Sequence, residues 1–187
     1  MKLNSSDFLG IIPARFNSTR LKGKPLIKIG EKTMIEHVYS RASEVLDNLI
    51  VATDDKKIFD TVNNFGGNVV LTKKDHLNGT SRCLEAVDIW SKELEKSFNY
   101  IINIQGDEPL LHEDHIIKVI ECFNDSKTEF ATIAQKLNSS DNLPKDKVFL
   151  VKDTFNFALY FSRYAIPFLR GDEIKEDANE FHQHIGI

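Results

Sequence analysis

The sequence predicts an α/β fold, a mainly parallel sheet with helices on both faces. Two observations carry this. Short apolar, β-branched runs alternate with amphipathic stretches along the chain, and each switch in period is marked by Pro, Gly or a capping residue. Phe8 to Pro13 is an apolar run closed by proline, as in a buried strand. Met34 to Leu46 sets Met34, Ile35, Val38, Tyr39, Ala42, Val45 and Leu46 on one helical face. Asn48 to Thr53 is the second strand, and Asp54 and Asp55 can cap a helix running through Asn64. Gly66-Gly67 ends that helix, and Val69 to Leu71 is a third strand. Ser81 to Glu95 reads as helix and Tyr100 to Ile104 as the fourth strand. A helix from about Asp114 to Phe123 follows, then strands at Phe130 to Ala134, Val148 to Lys152 and Phe157 to Phe161. Sheets of this kind take right-handed crossovers and bind ligands beyond the carboxyl ends of their strands. Those loops therefore carry the chemistry.

At 187 residues the chain suits one sizeable domain, 1–187, and shows no repeat or long linker. Its net charge of −4 argues against general binding to nucleic acid or an anionic membrane. A small anion held by a few local cations is compatible with it. No apolar run approaches the roughly 18 residues needed to cross a bilayer, and Met1 to Asp7 lacks the apolar core of a signal peptide. Cys83 and Cys122 are isolated, with no metal or disulfide spacing, and read as core thiols. The expectation is a soluble, cytoplasmic protein.

The loop after the first strand runs Ala14-Arg15-Phe16-Asn17-Ser18-Thr19-Arg20-Leu21-Lys22-Gly23-Lys24-Pro25-Leu26. Arg15, Arg20, Lys22 and Lys24 put four cations in ten residues of an acidic chain. Arginine suits bidentate contact with phosphate, and lysine places a point charge on a phosphate oxygen. A solvated charge run is the alternative reading. The loop's position at a strand's carboxyl end favours phosphate. It is not a Walker A loop, because Gly23-Lys24 is followed by Pro25 instead of Ser or Thr. The second loop, Asn103-Ile104-Gln105-Gly106-Asp107-Glu108-Pro109, leaves the fourth strand with Asp107 placed to meet a divalent cation. Asp107 capping a turn around Gly106 is the other reading.

Ile11-Ile12-Pro13-Ala14-Arg15, Ser18-Thr19-Arg20-Leu21, Gly23-Lys24-Pro25-Leu26, Ala52-Thr53-Asp54, Gln105-Gly106-Asp107-Glu108-Pro109 and Tyr160-Phe161-Ser162-Arg163 occur in that order. From about Phe8 onward the chain resembles the 3-deoxy-manno-octulosonate (Kdo) cytidylyltransferases, or CMP-Kdo synthetases. The resemblance implies a Rossmann-like, three-layer nucleotidyltransferase fold, with about 147–187 as part of a smaller β-rich region for sugar binding and dimerisation. It implies a CTP site at Ala14, Arg15, Ser18, Arg20, Lys24, Gly79 and Gln105. Kdo would meet Arg82, Gln105, Arg163 and His184, and Mg²⁺ would sit on Asp107. Arg15, Lys24 and Asp107 are the implied catalytic residues. The implied reaction is attack of the Kdo anomeric hydroxyl on the α-phosphate of CTP, giving CMP-Kdo and pyrophosphate for lipopolysaccharide synthesis. Transfer to another acidic sugar, such as a sialic-acid-like nonulosonate, is an alternative, as is CTP binding without catalysis.

Two departures stand against the family pattern. His76-Leu77-Asn78-Gly79-Thr80-Ser81-Arg82 has Ser81 where the family carries an acid. The sequence stops at Ile187, where the resemblance implies several tens of further residues, including a Glu- and Leu-rich segment of the family's homodimer and a second metal-binding aspartate. His112-Glu113-Asp114-His115 resembles a metal cluster but lies at a helix start, where polar residues cap free amides. His37 and His182 read as packing or surface residues, and Trp90 as core.

Overall fold

The computed structural model describes residues 5–17, 21–137, 147–168 and 181–187. The chain divides into two compact units. The first runs to Glu129 and takes in Ile187; the second is Phe130–Gly186.

The first unit is built on four parallel strands, β1 (Phe8–Ala14), β4 (Leu49–Thr53), β5 (Val69–Leu71) and β6 (Tyr100–Asn103), in the order β5-β4-β1-β6. Every residue of β4 is buried, as is all of β1 except half-buried Pro13. That is why these strands read as continuous apolar runs without alternation. The pleat sends alternate residues to opposite faces. Phe8, Ile12 and Ala14 of β1 and Leu49 and Val51 of β4 join one core. Leu9 and Ile11 of β1 and Ile50 and Ala52 of β4 join another.

Four helices cover the two faces: α1 (Met34–Ser43), α2 (Lys56–Asn64), α3 (Gly79–Glu93) and α4 (Glu113–Cys122). The first core takes Ile35, Val38 and Ala42 of α1, Ile58 and Val62 of α2 and Ile116 of α4. The second takes Cys83 and Ala86 of α3. The chain builds outward from β1 through β4 to β5, then returns to place β6 on the other side of β1. Reversing direction moves the crossover helix to the opposite face, which is where α3 lies. The reversal makes the gap between β1 and β6 the topological switch point.

Local sequence sets the helix starts. Thr33 caps α1, Asp55 Oδ1 accepts from the amides of Lys57 and Ile58 at the start of α2, and Asn78 Oδ1 accepts from Ser81 N at 2.8 Å in α3. The helix predicted from Ser81 therefore starts two residues earlier, at Gly79, because Asn78 supplies the cap. His112 caps α4 through Nδ1. Among the described residues no three His, Cys, Asp or Glu side chains form a metal-holding group, so His112-Glu113-Asp114-His115 does not form one. A small hairpin, β2 (Lys28–Ile29) and β3 (Lys32–Thr33), precedes α1. Sequence pattern misses it because its strands are only two residues long.

The second unit is an antiparallel sheet of β7 (Ile133–Leu137), β8 (Phe149–Lys152), β9 (Ala158–Ser162) and β10 (Phe181–Ile185), in the order β7-β10-β8-β9. Phe149, Leu150 and Phe181 form its buried centre, with the two phenyl rings edge to face at 6.4 Å. The strand expected at Phe130 to Ala134 is displaced to Ile133–Leu137. Its register is fixed by β10, where Ile133 faces Ile185 and Leu137 faces Phe181. Phe130 is left exposed. Phe181-His182-Gln183-His184-Ile185 carries too little apolar pattern to announce a strand; pairing on both of its edges, with β7 and β8, makes it one.

Candidate active site

A cavity of about 330 Å³ opens in the first unit beyond the carboxyl ends of β1 and β6. Six residues singled out in the sequence line it together: Ala14, Arg15, Lys24, Gly79, Gln105 and Asp107. Asn17, Pro13, Pro25 and Gly106 line it as well. Asn17 lies inside the basic loop, where attention to charge alone passes over a neutral amide.

Two glycines make the geometry possible. Gly23 has φ +71°, and its amide donates to Phe16 O at 2.7 Å, closing the basic loop. A β-carbon there would be strained and would press on the Phe16 ring at 3.2 Å. The chain then enters a short 3₁₀ turn, Lys24–Leu26, with Pro25 fixing the φ of its second residue. This sets Lys24 at the cavity. On the opposite wall, a β-carbon on Gly106 would meet Pro13 O at 3.0 Å and Ile12 Cγ2 at 3.3 Å. Only glycine lets the Gln105-Gly106-Asp107 turn pack this closely against the end of β1.

The charges are arranged for an anion. Arg15 Nη1 donates to Leu77 O at 3.5 Å. Its Nη2 is buried without a hydrogen-bond partner among the described residues, so the guanidinium keeps one donor unspent. Gly79 brings the N-terminus of the fifteen-residue helix α3 to the same space, where free amides and the helix dipole favour negative charge. Lys24 Nζ lies 2.6 Å from Asp107 Oδ2. Lys22 and Lys57 approach the Phe16 ring, at 5.9 and 5.2 Å from its centroid. Ser18 and Arg20 lie outside the described residues.

Among the described residues Asp107 is the carboxylate that this cavity offers a metal. With a single carboxylate the donor set does not make an all-protein cage. It fits a hard divalent cation that keeps several waters and takes phosphate oxygens from its ligand, as Mg²⁺ does.

Arg82 departs from the expectation of an arginine facing the sugar. It is fully buried. Its Nη2 lies 3.1 Å from Asp54 Oδ2, and Nη1 donates to Thr72 Oγ1 at 2.5 Å and Lys73 O at 3.4 Å. Following Gly79-Thr80-Ser81, the first turn of α3 directs residue 82 inward beside Cys83 and Ala86, to brace the ends of β4 and β5. Burial pushes the Cys83 thiol up to about 11, so it is an inert core group.

The loop between β5 and α3 is tied by Glu85, which accepts from His76 Nε2 at 2.5 Å and from Lys73 N at 2.9 Å. The His76 hydrogen bond leads in holding the Glu85 carboxyl below its ordinary 4.5. A carboxyl whose folded pKa is lowered stabilises the fold above the unfolded value and loses that contribution as pH falls through the folded one. Glu85→Gln is therefore expected to flatten the fall in stability below about pH 4.5, read as the urea midpoint against pH. A curve as steep as the parent's would remove Glu85 from the acid limb.

In the second unit, His184 on β10 has Nε2 2.8 Å from Thr132 Oγ1 and its ring edge-on to Phe161 at 5.4 Å. Burial lowers its pKa and keeps the imidazole neutral near pH 7. Arg163 is exposed just after β9.

The cytidylyltransferase family model matches residues 9–187. The chain belongs to the cytidylyltransferase family. It is 42% identical over 96% of its length to a 3-deoxy-manno-octulosonate cytidylyltransferase of Parabacteroides distasonis, covering 73% of that protein. It is 46% identical over 96% of its length to the enzyme of the same name from Fusobacterium nucleatum, covering 71% of that protein. The solved structure of a CMP:2-keto-3-deoxy-manno-octonic acid synthetase complexed with CTP superposes with a TM-score of 0.84 at 33% identity, over 97% of this chain and 72% of that one. A 4-diphosphocytidyl-2C-methyl-D-erythritol synthase shares only the fold, at 15% identity and a TM-score of 0.55 over 96% of this chain and 73% of that chain. This cytidylyltransferase thus has the family's mixed α/β nucleotidyltransferase fold. Among the described residues no helix is long and apolar enough to cross a membrane.

Proposed function

We infer that this cytidylyltransferase activates Kdo with CTP, giving CMP-Kdo and pyrophosphate for lipopolysaccharide synthesis. The observation that carries the reading is the cavity at the β1/β6 switch point, lined by Arg15, Lys24, Gly79, Gln105 and Asp107, in a chain more than 40% identical to Kdo cytidylyltransferases.

The residues divide the work by their chemistry. The unpartnered Arg15 Nη2 and the Lys24 ammonium hold the triphosphate and offset the charge that develops as pyrophosphate leaves. Amides at the start of α3 take a further phosphate oxygen. Gln105 presents an amide to the base and sugar. Arg163 and His184 are the proposed contacts to Kdo, with a guanidinium suited to the sugar carboxylate and a neutral imidazole suited to its hydroxyls. Mg²⁺ bound at Asp107 would supply charge neutralisation to the phosphate oxygens. The Kdo anomeric hydroxyl attacks the α-phosphorus in line, the bond to the β-phosphate oxygen breaks, and no covalent enzyme intermediate is needed. Catalysis by this chain's own groups is then positioning and electrostatic. Cytoplasmic location and homodimer formation belong to the same proposal.

The test is pyrophosphate release by the purified chain with CTP and Mg²⁺, with Kdo, with a sialic-acid-like nonulosonate, or with no sugar. Release that requires Kdo supports the assignment. Equal release with the nonulosonate would widen the substrate class, and CTP binding without release would leave a nucleotide-binding protein.

A further inference from the structure

The proposed function gives Lys24 and Asp107 separate tasks, a cation for phosphate and a carboxylate for metal. Here they are partners, with Lys24 Nζ 2.6 Å from Asp107 Oδ2. The contact joins residues 83 apart in sequence, each presented by its own tight turn on either side of the cavity. We propose that Lys24 acts as a placeholder cation on Asp107, so that without nucleotide the carboxylate refuses a divalent ion until a triphosphate draws the ammonium away. This rests on the reading of Asp107 as the metal carboxylate.

Charge supports the proposal. Among the described residues the cavity is lined by one carboxylate and two cationic side chains, Arg15 and Lys24, and Lys24 already neutralises that carboxylate. A divalent ion approaching Asp107 in the free chain would meet an ammonium a few ångströms away and, among the described lining residues, a single carboxylate. Such a site gains little over bulk water. A triphosphate reverses the balance. Its oxygens give Lys24 a more highly charged partner, and the carboxylate is released at the moment when phosphate oxygens become available to complete the coordination shell. Lys24 would thereby couple metal entry to nucleotide entry. The pair is also accessible, with side chains 32% and 48% exposed, so exchange of partners needs no opening of the core.

The experiment is a Mn²⁺ titration of the full chain without nucleotide, following free Mn²⁺ by electron paramagnetic resonance. Lys24→Met is expected to bind Mn²⁺ about tenfold more tightly than the parent, the effect of removing one ammonium charge beside a divalent ion. Lys24→Gln should do the same, providing a second neutral variant should the first fail to fold. Lys24→Arg should stay at the parent's weak affinity, and adding Asp107→Asn to Lys24→Met should abolish the gain. Equal or weaker Mn²⁺ binding by both neutral variants would overturn the proposal. Pyrophosphate release by Asp107→Asn separates the two levels of argument. If it is lost while the neutral lysine variants gain no affinity, only the placeholder role fails. If Asp107→Asn keeps full release, the assignment of Asp107 itself fails.

Discussion

Asp107→Ala is expected to lower Kdo-dependent pyrophosphate release by at least about a hundredfold, the scale on which one preorganised charge at a reacting centre is felt. Its thermal midpoint should hardly move. The carboxylate is nearly half exposed and its one ion pair, to Lys24, is partly solvated. A pair of that kind contributes about 1 kcal/mol or less to stability. The Gln105-Gly106-Asp107 turn is held by close packing of Gly106 on Pro13 and Ile12, not by the Asp107 side chain, so the cavity wall survives the substitution. The separation between rate and stability makes the result decisive. Release within about threefold of the parent would remove Asp107 from the reacting centre, since no metal or phosphate role is that dispensable. A large fall in midpoint would instead make its contribution architectural.

The same turn marks how much of the site could be read from sequence. Position was legible: apolar runs fixed β1 and β6, and the rule that ligands sit at carboxyl strand ends pointed to the loops bearing Arg15, Lys24 and Asp107. Pairing across loops was not. That Lys24 reaches Asp107 depends on the positive φ of Gly23 and the packing of Gly106, both consequences of tertiary approach. The strand order β5-β4-β1-β6, and hence which two loops face one another, is likewise set by the crossovers and not by any local run of residues. In the second unit local pattern failed more often, because β7 and β10 owe their bounds to each other. Ile133 to Leu137 is a strand because Phe181 to Ile185 lies beside it, and neither run declares this alone.

Arg82 is where residue type and environment disagree most. The family resemblance implies a substrate-facing arginine at position 82, yet the Arg82 side chain is fully buried and spans Asp54, just after β4, and Thr72, just after β5. Its Nε and Nη2 make no hydrogen bond among the described residues, so the guanidinium is held by the Asp54 charge across 3.1 Å and by the Nη1 hydrogen bonds to Thr72 and Lys73. Removing one member of a buried pair leaves the other uncompensated, which costs about 3–5 kcal/mol. Arg82→Met is therefore expected to lower the thermal midpoint by roughly 10 °C in a chain of this size. Adding Asp54→Ala should recover part of that loss, because the stranded carboxylate is then gone. Assayed well below its midpoint, Arg82→Met should keep a KM for Kdo within about threefold of the parent, since a bracing residue acts on the population of folded enzyme. A KM raised tenfold or more with an unmoved midpoint would mean that the guanidinium leaves Asp54 for the sugar carboxylate during turnover. The ion pair would then be a resting position, and the family expectation of a substrate-facing arginine would hold for the liganded state.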